Sequence, residues 1–311
     1  MTKFTLPTRR ELLISLAILA LWLFVTVAFV GFRSEHILLC AAFLLLFIPC
    51  QGSRKLVVAL LPFFIFGISY DWMNLLPNYE VNPVDVEGLY TTEKRLFGIT
   101  VAEGAVLTPN EYFALHHCSA MDFMSGIFYL CWVPLPIIFG IWLYFKGERR
   151  AYLHFAIVFL LVNLIGFAFY YIHPAAPPWY VAMHGMEAIP GTPGEVAGLG
   201  RFDEMTGLNI FHLLYSRNAN VFAALPSLHS AYTLVALIYA IRFKAPRLWI
   251  ILLAVVTLGI WLTAVYSSHH YIIDVMCGII CALVGSLLFE TAVARIAPLR
   301  RALDRYISYI S

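Results

Sequence analysis

The chain has 311 residues, of which 61% are hydrophobic and only 12% charged. Water-soluble domains carry about 25% charged residues, so this composition excludes a soluble globular enzyme or binding module and points to an all-α, polytopic membrane protein. The net charge of +2 makes no case for a nucleic-acid partner.

The first apolar run, Leu12 to Phe32, follows Lys3, Arg9 and Arg10 and has no Ala-x-Ala cleavage site. It is long enough to cross a bilayer, which takes about 20 residues, and reads as an uncleaved first span. Further apolar runs cover His36 to Cys50, Leu56 to Trp72, Phe123 to Phe145, Tyr152 to Ile172, Leu225 to Phe243, Leu248 to Ser267 and Tyr271 to Ala294. The second run is short and the third barely spans, so the two can also form a re-entrant pair. Six to eight spans are expected, with a core of six. Two long, turn-rich loops intervene, at Met73 to Asp122 and His173 to Ala224. Loops of that length are usually functional or disordered. The implied division is 1–72 N-terminal spans, 73–122 an outer loop with short helices, 123–294 the catalytic helical core with outer loop 173–224, and 295–311 a basic tail.

Charge sets the orientation. With the N-terminus inside, only Arg33, Lys94, Arg95, Arg201 and Arg217 of the 20 basic residues fall on the far face. The positive-inside rule then puts both termini in the cytoplasm and both long loops outside. Arg295 to Arg305 reads as a cytoplasmic stop and an anionic-lipid contact, not a nucleic-acid site. Trp179 and Tyr180, after the fifth span, read as interfacial anchors. Five of the six cysteines lie in apolar segments and no Cys-x-x-Cys occurs, so neither a disulfide framework nor a zinc site is expected.

The chemistry concentrates in Pro226-Ser227-Leu228-His229-Ser230 and in His270-Tyr271-Ile272-Ile273-Asp274, whose histidines are 41 positions apart. The topology brings both strings to the outer face. Pro226 suits a first helical turn, and the N–H groups of that turn offer a phosphate site, with His229 about one turn further in. The i, i+4 spacing of His270 and Asp274 stacks them on one helix side. Asp274 can then hold the Nδ1–H of His270 and leave Nε2 free to attack, the imidazole itself acting as nucleophile. A charge at a span end is costly and is a functional hypothesis by default.

The Pro-Ser-x-His and His-x-x-x-Asp pair resembles the type 2 phosphatidic acid phosphatase superfamily, six-helix membrane enzymes that use a phosphohistidine and need no metal. Within it, His269-His270-Tyr271-x-x-Asp274 and Ala176-Pro177-Pro178-Trp179-Tyr180 look like the inositol phosphorylceramide synthases, over roughly residues 110–290. The resemblance implies phosphoinositol transfer from phosphatidylinositol to ceramide without a cofactor. His270 would be the nucleophile, Asp274 its orienter and His229 the acid and base. The chain departs from the superfamily's phosphatases at two places. Their Lys-x6-Arg-Pro is replaced around Gly166 and His173-Pro174, and their Ser-Arg, six residues before the nucleophile, by Thr263-Ala264. A monoanionic phosphodiester needs fewer cations than a dianionic monoester, which agrees with transfer. The alternative reading is a lipid phosphatase acting on phosphatidate or polyprenyl diphosphate, and a third is a transporter or an inactive lipid-binding scaffold.

Arg217 and Ser227 are the candidate phosphate contacts, and Asp122 either binds inositol hydroxyls or caps a helix. His269 is expected to point away from the nucleophile. His116, His117, His184 and His212 lack metal-ligand spacing and read as solvated. Without an Asn-x-Ser/Thr sequon on the outer loops, a bacterial inner membrane with a periplasmic site is expected, with a Golgi membrane and lumenal site as the alternative.

Overall fold

The computed structural model describes residues 5–29, 31–32, 34–102, 104–216 and 220–311. In chain order its helices are α1 (Arg9–Phe29), α2 (Ser34–Phe47), α3 (Gln51–Ala59), α4 (Leu61–Trp72), α5 (Glu87–Phe97), α6 (Pro109–Leu115), α7 (Ser119–Leu130) and α8 (Pro134–Phe145). There follow α9 (Arg149–Ile172), α10 (Pro178–His184), α11 (Gly200–Thr206), α12 (Ile210–Tyr215), α13 (Leu228–Arg242), α14 (Arg247–Tyr266), α15 (Ile272–Arg295) and α16 (Ala297–Ile310). A small hairpin, β1 (Ile99–Thr100) and β2 (Val106–Leu107), pairs antiparallel with Ile99 opposite Leu107.

Among the described residues α1, α9, α14 and α15 are long and apolar enough to cross a membrane, and the bent pairs α3–α4 and α7–α8 each add one span, giving up to six. Both bends have a local cause. Pro62 and Pro134 sit in the first turns of α4 and α8, where a proline starts a helix but cannot continue the preceding one. The expected second and sixth spans are short. α13 has 15 residues, about 22 Å at 1.5 Å per residue, against about 30 Å of hydrocarbon. It is short because the chain enters it in extended conformation at Ser227.

The chain divides into two compact units, one of residues 1–76 with 293–311 and one of residues 77–292. In the first, Arg54 is buried and its Nη1 donates to the Thr5 carbonyl at 2.7 Å. The amphipathic α16 packs on α3, with Leu303 and Ile310 buried while Arg300, Arg301 and Arg305 stay exposed.

In the second unit, α13 packs against α9 and α14, and α14 against α7. At one end Glu290 ties three helices: it accepts from the hydroxyl of Tyr239 (2.8 Å) and from Arg242 (2.8 Å), and lies 2.9 Å from His154 Nδ1. At the other end the two long loops are ordered by each other. Asp85, Ala175 and Ala223 form parallel bridges, and the Asn78 amide donates to the carbonyls of Tyr170 and Phe222, both at 2.8 Å. Trp179 and Tyr180 correct the expectation of lipid anchors. They are 5% and 0% exposed, in a cluster with Val86, Ala176 and Phe222 that joins the loops.

Candidate active site

The site is assembled where α13 and α15 begin and α14 ends. Ser227 is the N-cap of α13, its Oγ accepting from the Ser230 N–H at 3.4 Å. Pro226 therefore precedes the cap instead of lying in the first turn, and His229 is the second helical residue, not one turn in. The N–H of Ser227 donates to the Asp274 carbonyl at 2.9 Å, and Ser230 Oγ donates to the carbonyls of Ser227 (2.7 Å) and Val275 (3.2 Å). These bonds lock the start of α13 to the first turn of α15. Gly278 permits the approach: a methyl there would overlap the Ser227 carbonyl oxygen and Ser230 Oγ.

α15 begins at Ile272, so His270 precedes the helix instead of stacking on it. Two carboxylates fix that start. Asp274 Oδ2 accepts from the Tyr271 N–H at 2.8 Å, and Glu93 of α5 accepts from Ile272 (2.9 Å) and Ile273 (3.2 Å), satisfying three N–H groups that a helix start leaves open. Glu93 is fully buried, and burial raises its pKa above the usual carboxylate value despite those bonds. On the other side of the turn, the Asn110 amide donates to the carbonyls of Val265 (2.8 Å) and His270 (2.9 Å). Asn110 is itself set by a capping box in which Thr108 and Glu111 exchange hydrogen bonds.

The result is a line of three groups. His270 Nδ1 lies 3.4 Å from Asp274 Oδ2, and His270 Nε2 lies 3.1 Å from His229 Nδ1. His270 is 4% and Asp274 0% exposed. The His229 ring stacks on Tyr129 (centroids 4.9 Å apart) and packs against Trp132 (4.4 Å). The structure thus brings together the three residues singled out as catalytic from sequence, on a loop and two helix ends.

The other candidates separate. Arg217 lies outside the described residues. Ser227 is buried and spends its hydroxyl on the helix end. Asp122 is in the first turn of α7, whose N-cap position is Cys118, so it does not cap that helix. Its Oδ1 accepts from Arg201 Nε (2.6 Å) and the Tyr266 hydroxyl (2.9 Å), and its Oδ2 faces His117 Nδ1 at 3.3 Å. The 4%-exposed Asp122 carboxylate is thus paired with an arginine inside the fold. His269 turns away from the line, its Nε2 donating to the Val196 carbonyl at 3.0 Å and its ring stacking on Tyr215. Burial, with the charge of His270, pushes its pKa down to about 3, so it is neutral at physiological pH. His212 is held 2.9 Å from Asp203 rather than solvated alone. Among the described residues no group of three potential ligands could hold a metal.

At Gly166, one of the departures from the phosphatase pattern, packing leaves no room for a side chain without a shift. A side chain at Gly166 would meet Leu228 at 2.6 Å, because α9 runs directly behind the start of α13. Ala264 is fully buried, and its carbonyl accepts the N–H groups of both His269 (3.1 Å) and His270 (2.9 Å). Sequence reasoning missed Glu93, Asn110, Tyr129 and Trp132. The Thr108-Pro109-Asn110-Glu111 capping signature was the one available pointer, since it fixes where one of the short helices expected in that loop begins.

The profile of the PAP2 superfamily matches residues 106–288. A phosphoinositol dihydroceramide synthase of Bacteroides thetaiotaomicron is 59% identical over 98% of this chain and 100% of its own length. An inositol phosphorylceramide synthase of Candida albicans is 29% identical over 52% of this chain and 35% of its own. The Saccharomyces cerevisiae inositol phosphorylceramide synthase catalytic subunit AUR1 is 27% identical over 70% and 52%. No solved structure matches the chain. With its two histidines and aspartate converging at one end of an apolar helical bundle, and with that profile covering more than half of its length, this membrane-embedded chain belongs to the PAP2 superfamily.

Proposed function

We propose that the protein transfers phosphoinositol from phosphatidylinositol to a ceramide-class acceptor, releasing diacylglycerol. The observation that carries the reading is the Asp274–His270–His229 line in a chain 59% identical, over nearly its whole length, to a phosphoinositol dihydroceramide synthase.

Hydrogen-bond logic sets the roles. His270 Nδ1 faces Asp274 Oδ2 at 3.4 Å without a hydrogen bond at rest; once the carboxylate takes that N–H, Nε2 carries the lone pair, and His229, entering as the imidazolium, carries the proton facing it. His270 Nε2 attacks phosphorus, a P–N bond forms and the P–O bond to the glycerol carbon chain breaks. His229 gives its proton to the departing diacylglycerol oxygen and is left as the neutral imidazole. In the second half the ceramide hydroxyl loses its proton to His229 and attacks phosphorus, the P–N bond breaks, and inositol phosphorylceramide leaves. The N-terminal N–H groups of α13 offer the positive end of a helix to the single phosphodiester charge. The aromatic wall of Tyr129 and Trp132 against His229 supports exclusion of water from the intermediate. The basic residues at the opposite helix ends, Arg149, Arg242, Arg247 and Arg295, support a periplasmic site in a bacterial inner membrane.

The test uses purified protein in detergent with EDTA, given phosphatidylinositol and a fluorescent ceramide, beside His270→Ala. The expected result is an inositol-containing sphingolipid that the variant does not make. Phosphate release from phosphatidate with no transfer product would instead make the protein a phosphatase.

A further inference from the structure

A cavity of about 360 Å³ lies beside the His270 turn, its polar lining formed by Tyr90, Thr108, Asn110, Glu111, Ser268 and Tyr271. That is within the range of small-molecule sites, about 300–1,000 Å³, and at its lower end, suited to a headgroup and not a whole lipid. Ser268 and Tyr271 flank the nucleophile candidate in sequence, and Asn110 holds its carbonyl. The lining comes from α5, β2, α6, α10 and the α14–α15 turn, with no residue from a membrane-spanning helix.

Two polar atoms of this lining are buried and make no hydrogen bond within the protein: Asn110 Oδ1 and the Tyr271 hydroxyl. The residues are 2% and 1% exposed. An unmet buried polar atom costs about 1–3 kcal/mol, and here both atoms sit on residues that line one cavity, so a ligand that reaches them relieves that cost. The charge of the wall defines what can meet them. No lysine or arginine is among the described lining residues, while Glu111 presents a carboxylate, its oxygens accepting from the Tyr90 hydroxyl (2.8 Å) and the Thr108 N–H (2.7 Å). The nearby Lys94 ammonium donates to the Tyr90 hydroxyl at 3.1 Å. A wall without a cation, apolar over most of its surface and set with hydroxyls and one carboxylate, disfavours phosphate and favours a neutral polyol, whose C–H faces meet the apolar part and whose O–H groups meet the rest.

We infer that this cavity is a polyol subsite, taking the inositol ring of the donor while the phosphodiester reaches His270. The identity of that polyol rests on the phosphoinositol-transfer reading; the cavity's preference for a hydroxyl-rich neutral ligand does not.

Tyr271→Phe removes one of the two unmet atoms and leaves the Tyr271 N–H on Asp274. The expected result is about a tenfold rise in KM for phosphatidylinositol, equivalent to about 1.4 kcal/mol, with kcat and the KM for ceramide within twofold of the parent. Val181→Phe, which fills the cavity from α10, should act in the same direction. Saturation-transfer NMR with free myo-inositol gives a readout without turnover: a signal with the parent protein that both variants lose. Unchanged KM for phosphatidylinositol in both variants, in a parent that transfers phosphoinositol, would overturn the subsite and leave the transfer reading intact. A parent that transfers nothing, yet binds myo-inositol in a Tyr271-dependent way, would do the reverse. A rise confined to the KM for ceramide would give the cavity to the acceptor's hydroxyls and overturn the assignment.

Discussion

His229 Nδ1 lies 3.1 Å from His270 Nε2, so the atom proposed to attack phosphorus is covered at rest by the atom proposed to protonate the leaving group. One proton lies between the two rings, and the Asp274 carboxylate on the far side of His270 favours its place on His229. Substrate phosphate must enter between the rings, and when it does, nucleophile and acid already face the two ends of the bond to be broken.

That pairing separates the roles of the two histidines. His229→Gln should lower transfer about 10²–10⁴-fold, the usual worth of a general acid. A phosphoinositol ester with a phenolic leaving group, which needs no protonation, should recover most of the loss in the first half-reaction, read as phenol release before any acceptor is added. His270→Ala should recover nothing with the same substrate. Equal rescue of both variants would remove the distinction.

Asp274 is fully buried, and its Oδ1 makes no hydrogen bond. Asp274→Asn keeps an acceptor for the Tyr271 N–H but loses the charge that orients the His270 ring and supports it as it becomes cationic. A drop in kcat of about 10²-fold or more is expected. The melting temperature should hold or rise, because a buried charge without a well-made partner stabilises little. A falling melting temperature with unchanged kcat would make the aspartate structural.

Gly278 has no room for a methyl group against Ser227 and Ser230. Gly278→Ala should destabilise by about 1–3 kcal/mol, the usual range for overpacking. It should also reduce transfer, since it pushes the His229 helix away from the His270 turn. Full activity in this variant would show that the two helix starts need not be locked together.

His269 supplies a pH dependence whose sign is fixed. Its pKa is about 3 in the fold against 6.5 for the free group. Between those values the unfolded chain binds the extra proton, so stability falls as pH drops from about 6.5 toward 3 and is fully present above 6.5. His269→Gln, which keeps a donor for the Val196 carbonyl, should flatten the fall in melting temperature between pH 7 and pH 5. Parallel curves for parent and variant would contradict this.

The reacting groups were legible in the sequence because chemistry leaves a local mark: His229 in Pro-Ser-x-His, and His270 with Asp274 four residues on. Their geometry was only partly so. The i, i+4 argument assumed a helix through His270, but Glu93, 179 positions from Ile272, caps α15 two residues later, and no local pattern carries a contact of that range. The same limit hid the fate of Trp179 and Tyr180. After an apolar run they look like lipid anchors, and only the pairing of Asp85 with Ala175 reveals that two outer loops cover them. Asp122 likewise read as an inositol contact or a cap, and neither reading anticipated Arg201, 79 positions away, against it.

The most direct test of the central claim is intact-protein mass spectrometry after mixing the enzyme with phosphatidylinositol and no acceptor. The expected result is an acid-labile phosphoinositol adduct on His270, formed as diacylglycerol is released and discharged when ceramide is added. Transfer to ceramide that proceeds at full rate while no adduct can be trapped, with the mass of His270 unchanged, would contradict the two-step account and require direct passage from lipid to lipid.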